Sequence, residues 1–580
     1  MCGISAITLA DGLPQEVKAK LELMNAAQFA RGPDGAGVAI SGSAGVGMVR
    51  LRVRADEREP EPIPLNDRQS VAYNGEVYWS GDGAPAGGEG EVRAIYNSGP
   101  HPPDGMYAMA SLDHVSQTVE VCRDAFGIKP IWLRKLPNGL AVGSTVKSLL
   151  SGFGSDSPRI EGIHQFLAFG RPIDGGSCLT SIAAIPPGTT LNLKSGLCIN
   201  ESRMSLVNPS SSQRLNDPHV LGKAIRDSVQ RVLPSNRAMG LAVSGGLDST
   251  ILAHEMAQLG VETLHTVSVL VEGTEDGISD LSQLKLPDRA TRSWSHTTVT
   301  VTSEQFASRF EGAVRTLGEP TRLSSVPLYE ALADGAQAAG IVVLQLGEGA
   351  DELFMGYSSY RAFNPDTPDS LFQFILPESR HPYLEALCGA GIIQECRNIF
   401  EAKYPPPVSG SRFEHLRRME LDHSLEPLLR RADQILMTRS IEGRTPFLHG
   451  GVPEFALSID ASHHLSSSRT KPMLRDAFPY LDLLEGPWRN KTPFRAPISK
   501  WLQTSLRPWM LRVLDEGMPV LRNLGLLEEG ITLVREDACL GKVHALEMAL
   551  SLMSLVFWAD WLANERPSNG NRYSSGSLQR

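Results

Sequence analysis

No CxxC pair occurs in the 580 residues, and the seven cysteines (Cys2, Cys122, Cys178, Cys198, Cys388, Cys396 and Cys539) are odd in number. That argues against a zinc site or a disulfide frame and for a reducing compartment, so a cytoplasmic protein is expected. Positive charge is in deficit, 55 Lys and Arg against 65 Asp and Glu for a net charge of −10. No basic stripe with interleaved aromatics is present, so nucleic acid is not an expected partner. No unbroken apolar run approaches the about 18 residues of a membrane helix, and no membrane partner is expected. The opening MCGISAITLADGLPQE lacks the positive flank and long apolar run of a secretory signal. There is no internal repeat. What remains is ordinary globular material, 41% hydrophobic and 21% charged, too long for one core.

The texture changes along the chain. Up to about residue 205 it is rich in Gly, turns and short apolar runs, and VAYNGEVYW, AMASLDH, TVEVCRD and GLAVGS read as strands. NPSSSQRLNDP then reads as a linker, giving boundaries of 2–205, a linker at 206–218, a second unit at 219–563 and a polar tail at 564–580 expected to be disordered. In the second unit the strands Met239–Val243, LHTVSVLV and IVVLQL alternate with helical stretches, which predicts a parallel sheet. From about Phe413 to Ala563 the pattern is mostly helical.

Between a strand and a helix stands Ser244-Gly245-Gly246-Leu247-Asp248-Ser249-Thr250. Its glycines let backbone N–H groups approach an anion, the helix start adds partial positive charge, and the hydroxyls add donors. There is no Walker A lysine, so the loop is not built for ordinary γ-phosphoryl transfer. Read alone it is also compatible with a capped Gly-rich turn. At the end of IVVLQL stands Gly347-Glu348-Gly349-Ala350-Asp351-Glu352. Strand ends of open α/β sheets are where ligands bind, so both loops can meet on one nucleotide. Asp248 and Asp351 are then candidate Mg²⁺ ligands, and Glu348 a candidate base. The two segments resemble those of N-type ATP pyrophosphatases, which adenylate a substrate and release pyrophosphate.

Cys2 would, after removal of the initiator Met, carry both a thiol and an α-amine able to act as a base near neutral pH. Arg31-Gly32-Pro33-Asp34-Gly35, Arg50-Leu51, Asn74-Gly75-Glu76-Val77-Tyr78 and Arg123-Asp124-Ala125-Phe126-Gly127-Ile128-Lys129-Pro130 follow in order. This set resembles the glutaminase domain of class II glutamine amidotransferases. The resemblance implies Cys2 as nucleophile, with the Asn74 side chain and the Gly75 N–H as oxyanion donors. It implies Arg50, Asn74, Gly75, Glu76 and Glu89 as the glutamine-binding set. Glu89 stands where the family usually has Asp.

The order of motifs is that of asparagine synthetase and its relatives, over roughly residues 2 to 505. Ile185-Pro186-Pro187-Gly188, Arg431-Ala432-Asp433, Ser440 to Leu448 and Arg469 to Arg475 extend the match. The resemblance implies a four-layer α+β Ntn-hydrolase-like glutaminase domain followed by an α/β ATP pyrophosphatase domain with a helical C-terminal part. It implies Ser244 to Thr250, Ser268, Gly347 and Glu348 as ATP-binding residues. It makes Cys2, Asn74, Gly75, Glu348 and Lys471 catalytic, and Asp248 and Asp351 Mg²⁺ ligands. The implied partners are glutamine, ATP and a carboxylate acceptor, with a homodimer left open.

Departures from the pattern fall around the expected acceptor pocket: Leu346 and Ala350 where the family usually has Ser, His449 where it has Asp, and altered spacing in Thr321-Arg322-Leu323-Ser324-Ser325. Aspartate is the leading acceptor. An amidotransferase of secondary metabolism or envelope tailoring, acting on another carboxylate, is the alternative.

Overall fold

The structure is a computed structural model and describes residues 2–53, 61–79, 87–98, 103–203, 217–234, 237–274, 278–284, 286, 293–364, 366, 370–405, 411–466, 469–483 and 494–564. Of the expected linker only Asp217 and Pro218 are among these, and of the expected tail only Asn564; the rest of both lies outside the described residues. Asp217 caps the helix Pro218–Val232 by accepting from the His219 N–H, and Asn564 closes the helix Val543–Asn564.

Period-two alternation builds the first half. In the strand Cys2–Leu9, Ile4 and Ala6 enter one core while Ile7 and Leu9 enter another, because successive side chains leave opposite faces of a strand. This strand lies inside a six-stranded antiparallel sheet ordered Ile182–Ala184, Trp132–Leu136, Gly139–Gly143, Cys2–Leu9, Ala44–Arg50, Gly35–Ser41. A second six-stranded antiparallel sheet runs Leu197–Arg203, Thr189–Lys194, Thr118–Arg123, Asp104–Asp113, Gln69–Trp79, Ile63–Asn66. Val46, Met48 and Val142 of the first meet Ala72, Ala108 and Ala110 of the second. Small residues on one side let the sheets approach closely. The helices Pro14–Ala27 and Val146–Phe153 cover the outer face of the first sheet through Leu21, Met24 and Leu149. The helix Gly87–Asn97 covers the second through Val92 and Ile95. The result is the expected four layers.

The second half carries a five-stranded sheet, parallel throughout, ordered Ser293–Val301, Thr263–Val271, Met239–Ala242, Val343–Gln345, Glu442–Arg444. The helices Leu247–Gln258, Ser303–Leu317 and Val326–Ala338 alternate with its strands. The remainder is helical apart from Glu442–Arg444, as the sequence pattern predicts.

The helix Val543–Asn564 corrects one expectation. By length and composition it is apolar enough to cross a membrane, with mean hydropathy 1.4 in its most apolar window, yet 78% of that window is buried inside the protein. A search for an unbroken run passes over it because His544, Glu547 and Ser551 interrupt the apolar residues. It packs as a core helix, contributing Leu550, Leu552, Met553 and Trp558.

Buried charge pairs join the halves. Arg444 meets Glu76 at 2.6 Å, Arg31 meets Asp433 at 2.8 Å, and Arg171 meets Glu426 at 3.0 Å. Such pairs add little net stability but penalise any other docking, since a shifted interface leaves charges buried and alone.

Candidate active sites

Cys2 opens its strand and is 6% exposed. Its register partner on the neighbouring strand is Arg50, itself buried. From the second sheet Asn74 reaches across, its Oδ1 accepting from the Cys2 N–H at 2.9 Å. The Asn74 amide nitrogen is fully buried with no hydrogen-bond partner among the described residues. An unpartnered buried donor beside a thiol is suited to receive charge developing on an amide oxygen. Gly75 has φ +149, and a Cβ there would lie 2.0 Å from the Met106 carbonyl oxygen, so only glycine fits. Arg31 donates from Nε to the Cys2 carbonyl at 3.2 Å. The sequence-predicted Cys2, Arg50, Asn74 and Gly75 therefore come together.

Two expectations do not hold in the same way. The Glu89 carboxylate lies on the exposed face of its helix and accepts from Arg93 Nη2 at 2.6 Å. The i, i+4 spacing makes this pair local and favourable, and it turns Glu89 to solvent while Glu91 on the opposite face is buried. The Glu76 carboxylate goes to Arg444 of the second half. Burial alone would make the Arg444 guanidinium less basic, but Glu76 and Glu442 hold its pKa above the ordinary value.

The second site forms at the carboxyl ends of the parallel strands. After the strand Met239–Ala242 the chain turns through Gly245 at φ +74 into the helix Leu247–Gln258. The N-cap residue of that helix, Gly246, makes no side-chain cap, which leaves the helix start open toward an anion. Ser249 Oγ accepts from the Ser244 N–H at 3.2 Å and holds the loop closed. Lys471, 2% exposed and at φ +50, places its ammonium 2.6 Å from both Asp248 carboxylate oxygens and 2.7 Å from Asp351 Oδ1. Three residues spread over 223 positions thus meet at one point.

Beside them Glu348 accepts from Arg431 Nη2 at 2.6 Å and from the Tyr329 hydroxyl. The Arg431 guanidinium also sits 4.0 Å over the Tyr329 ring. Burial and the neighbouring Asp351 push the Glu352 carboxyl up to about 8, and the Tyr357 hydroxyl donates to it at 2.7 Å.

A cavity of about 680 Å³ adjoins these groups, lined by Ser244, Asp248, Ser249, Gly347, Glu348 and Asp351 among others. Ser268 is not in its wall. Val267 and Val269 are, and Ser268 on the opposite face of the strand donates to the Ile278 carbonyl at 2.6 Å; strict alternation along Thr263–Val271 is the reason. His449 is likewise away from the wall, 1% exposed and hydrogen-bonded through Nδ1 to Asp104 of the first half at 3.0 Å. Leu346 and Arg322 to Ser325 do line the cavity. So do Tyr329 and the stretch from Phe494 to Lys500, which sequence reasoning passed over. Period two along Thr263–Val271 would have identified Val267 and Val269; no local signal marks the others.

A small apolar cluster joins the two halves: Leu51 and Val53, shortly after Arg50, with Val343 and Met437 of the second half.

Fold and sites together define a glutamine-dependent carbon–nitrogen ligase. The family model for asparagine synthase matches residues 221–560, and that for the glutamine amidotransferase domain matches residues 98–202. The chain belongs to the asparagine synthase family. It is 23% identical over 495 residues to asparagine synthetase [glutamine-hydrolyzing] 1 of Bacillus subtilis, covering 78% of this chain and 77% of that one. An asparagine synthetase [glutamine-hydrolyzing] of Asparagus officinalis is 25% identical over 269 residues, 44% of this chain and 40% of that one. Amidase chyE of Penicillium rubens is 28% identical over 313 residues, 47% of this chain and 43% of that one.

Proposed function

We propose that the chain transfers the amide nitrogen of glutamine to a carboxylate activated as its acyl-adenylate. The supporting observation is the convergence of Asp248, Asp351 and Glu348 on one cavity, with Lys471 paired to both aspartates, in the second half of a chain whose first half brings Asn74 onto Cys2. In the first half the Cys2 thiolate attacks the glutamine amide carbon and the C–N bond breaks. Ammonia leaves, and water cleaves the thioester to glutamate. The Asn74 amide and the Gly75 N–H receive the oxyanion. Arg50, beside Cys2, holds the glutamine carboxylate, and glutamine meets Glu76 only through its main chain.

In the second half ATP is a substrate. An acceptor carboxylate oxygen attacks the α-phosphorus, the bond to the α,β-bridging oxygen breaks, and pyrophosphate leaves. Ammonia then attacks the acyl carbon. AMP departs with the acyl oxygen, and Glu348 takes the proton lost from nitrogen. Lys471 neutralises charge on the phosphates. Asp248 and Asp351 fit Mg²⁺, which is usually held by one or two carboxylates together with substrate phosphates; bound there, it would supply further charge neutralisation. The apolar cluster at Leu51 and Met437 suits passage of uncharged ammonia.

Aspartate is the simplest acceptor, by likeness to the asparagine synthetases. A second reading, an acid other than aspartate, is favoured by Leu346 in the cavity wall. The test is product analysis with glutamine, MgATP and candidate acids. AMP and pyrophosphate are expected, and Cys2→Ala should retain synthesis from ammonium alone. ADP and phosphate as products would overturn the proposal.

A further inference from the structure

The cavity beside Asp248 and Glu348 shares two of its wall residues with a second cavity. They are Arg322 and Arg380, and this second chamber has a volume of about 560 Å³. The two guanidiniums are held differently. Arg380 pairs with Glu547 at 2.6 Å. Arg322 donates to the Phe169 carbonyl at 3.0 Å, and burial together with Arg380 lowers its pKa to about 9.

The second chamber has a distinct chemistry. Phe363, Phe374 and Ile375 form an apolar side, with the Phe363 and Phe374 rings 5.9 Å apart. Glu420 and His423, both buried, also line the chamber. Glu420 Oε1 and His423 Nδ1 have no hydrogen-bond partner among the described residues. Burial raises the Glu420 carboxyl to about 7 and lowers the His423 imidazole to about 3, so the second is uncharged and the first partly so near neutrality. A water or a ligand group is one source of the partner that such buried polar atoms lack.

On the near side of the arginines the cavity wall is also apolar, through Leu346, Leu428 and Leu550. A small zwitterion is selected by hydrogen bonds; these leucines offer none, and Ser324, Ser325, Arg431 and Glu547 are polar groups of the same wall. The first cavity already lies within the usual range of roughly 300–1,000 Å³ for one ligand. The additional chamber therefore calls for a further occupant continuous with the reacting acid.

We infer that the chamber beyond Arg322 and Arg380 holds the body of the acceptor, which is an elongated carboxylic acid with an aromatic or branched aliphatic portion and an uncharged polar group, rather than free aspartate. This rests on the proposed acyl-adenylate chemistry, and it moves the weight to the second of the two acceptor readings.

The experiment uses the full-length chain with ammonium chloride and MgATP and follows pyrophosphate release. The acids are aspartate, N-benzoyl-aspartate and 4-phenylbutyrate. At least one aryl acid should exceed aspartate in kcat/KM by 10-fold or more. Ala362 and Ser359 are exposed residues of the chamber wall, so Ala362→Trp and Ser359→Trp should fold. Each should raise KM for that acid about 10-fold, in the range a filled apolar subsite produces, with KM for ATP and the rate of glutamine hydrolysis unchanged. Aspartate as the best substrate, with both tryptophan variants behaving as the native chain, would overturn the inference and leave the acyl-adenylate reading standing. Absence of pyrophosphate release with every acid, aspartate included, would count against that reading and the inference with it.

Discussion

At Gly75 the geometry leaves no latitude. Any side chain would meet the Met106 carbonyl at 2.0 Å, on backbone at φ +149. Gly75→Ala must move one strand against its neighbour and displace the Asn74 amide from Cys2. Glutamine-dependent synthesis should fall at least about 100-fold, the scale of losing an oxyanion donor, while ammonium-dependent synthesis stays within a few-fold. Comparing the two nitrogen sources in one assay checks this. Glu420 offers a test of another kind. Burial raises its carboxyl from 4.5 to about 7, so between those values the folded chain binds more protons than the unfolded one. Stability contributed at this residue therefore falls as pH rises from 4.5 to 7 and stays low above it. Gln cannot ionise and can still accept from the Tyr360 hydroxyl, which lies 2.8 Å from Glu420. Glu420→Gln should melt with the native chain near pH 4.5 and above it at pH 8. A melting difference that does not change with pH would show that Glu420 does not titrate in this way.

The helix Leu425–Met437 is the element that joins the two chemistries. Arg431 reaches Glu348, and two residues on Asp433 reaches Arg31, which holds the Cys2 carbonyl. Glu426, a turn earlier, faces Arg123 and Arg171. Lys129 lies 3.6 Å from Asp433, fully buried, with its basicity lowered chiefly by burial. Asp433→Ala removes the carboxylate that Arg31 and Lys129 share, leaving Glu442 and Asp124 as the nearby negative charge on Lys129. Removing one partner of a buried pair typically costs about 3–5 kcal/mol, so a clear drop in melting temperature is expected. Glutamine-dependent activity should suffer more than ammonium-dependent activity. Equal losses from both would mean that the helix supports the fold without linking the sites. This element also shows what the sequence made legible. Arg431-Ala432-Asp433 could be placed beside the synthetase site by motif order, but the Asp433 partner is 402 positions away at Arg31. Strands, the anion loop and its helix depend on neighbours in sequence and were readable. Ser268 faces away from the cavity wall, since alternation along its strand gives that face to Val267 and Val269, and a motif does not state which face a residue takes. Glu89 lies on the exposed face of its helix, paired with Arg93, a local contact that the motif does not state.

In the whole molecule two reaction centres are separated by packed protein, and the apolar contact of Leu51, Val53, Val343 and Met437 is one of several places where the halves touch without charge. Met437→Trp should obstruct this contact and leave both centres intact. Glutamate should then form in excess of amide product, where the native chain gives a ratio near one; quantifying both products from glutamine decides it. Coupled stoichiometry unchanged by the tryptophan would place the ammonia path elsewhere. The broad organisation, two units with the motifs in order, followed from the sequence because each motif sits on its own local scaffold. The second chamber did not, since its walls come from Arg322, from residues between Ser359 and Asn364, between Ser370 and Arg380, and between Glu420 and Ser424, and no short pattern unites them.

The Lys471 ammonium between Asp248 and Asp351 has a consequence for the order of events. The resting site carries its own tethered counterion, at an effective concentration far above that of any dissolved monovalent ion. A divalent ion arriving alone has to displace that ammonium and leave it buried without an anion. Nucleotide arriving with the ion brings phosphate oxygens for the lysine to turn to, so the exchange becomes a swap of partners. For the Mg²⁺ site proposed above, the two carboxylates would then open to the ion together with nucleotide rather than to free divalent metal.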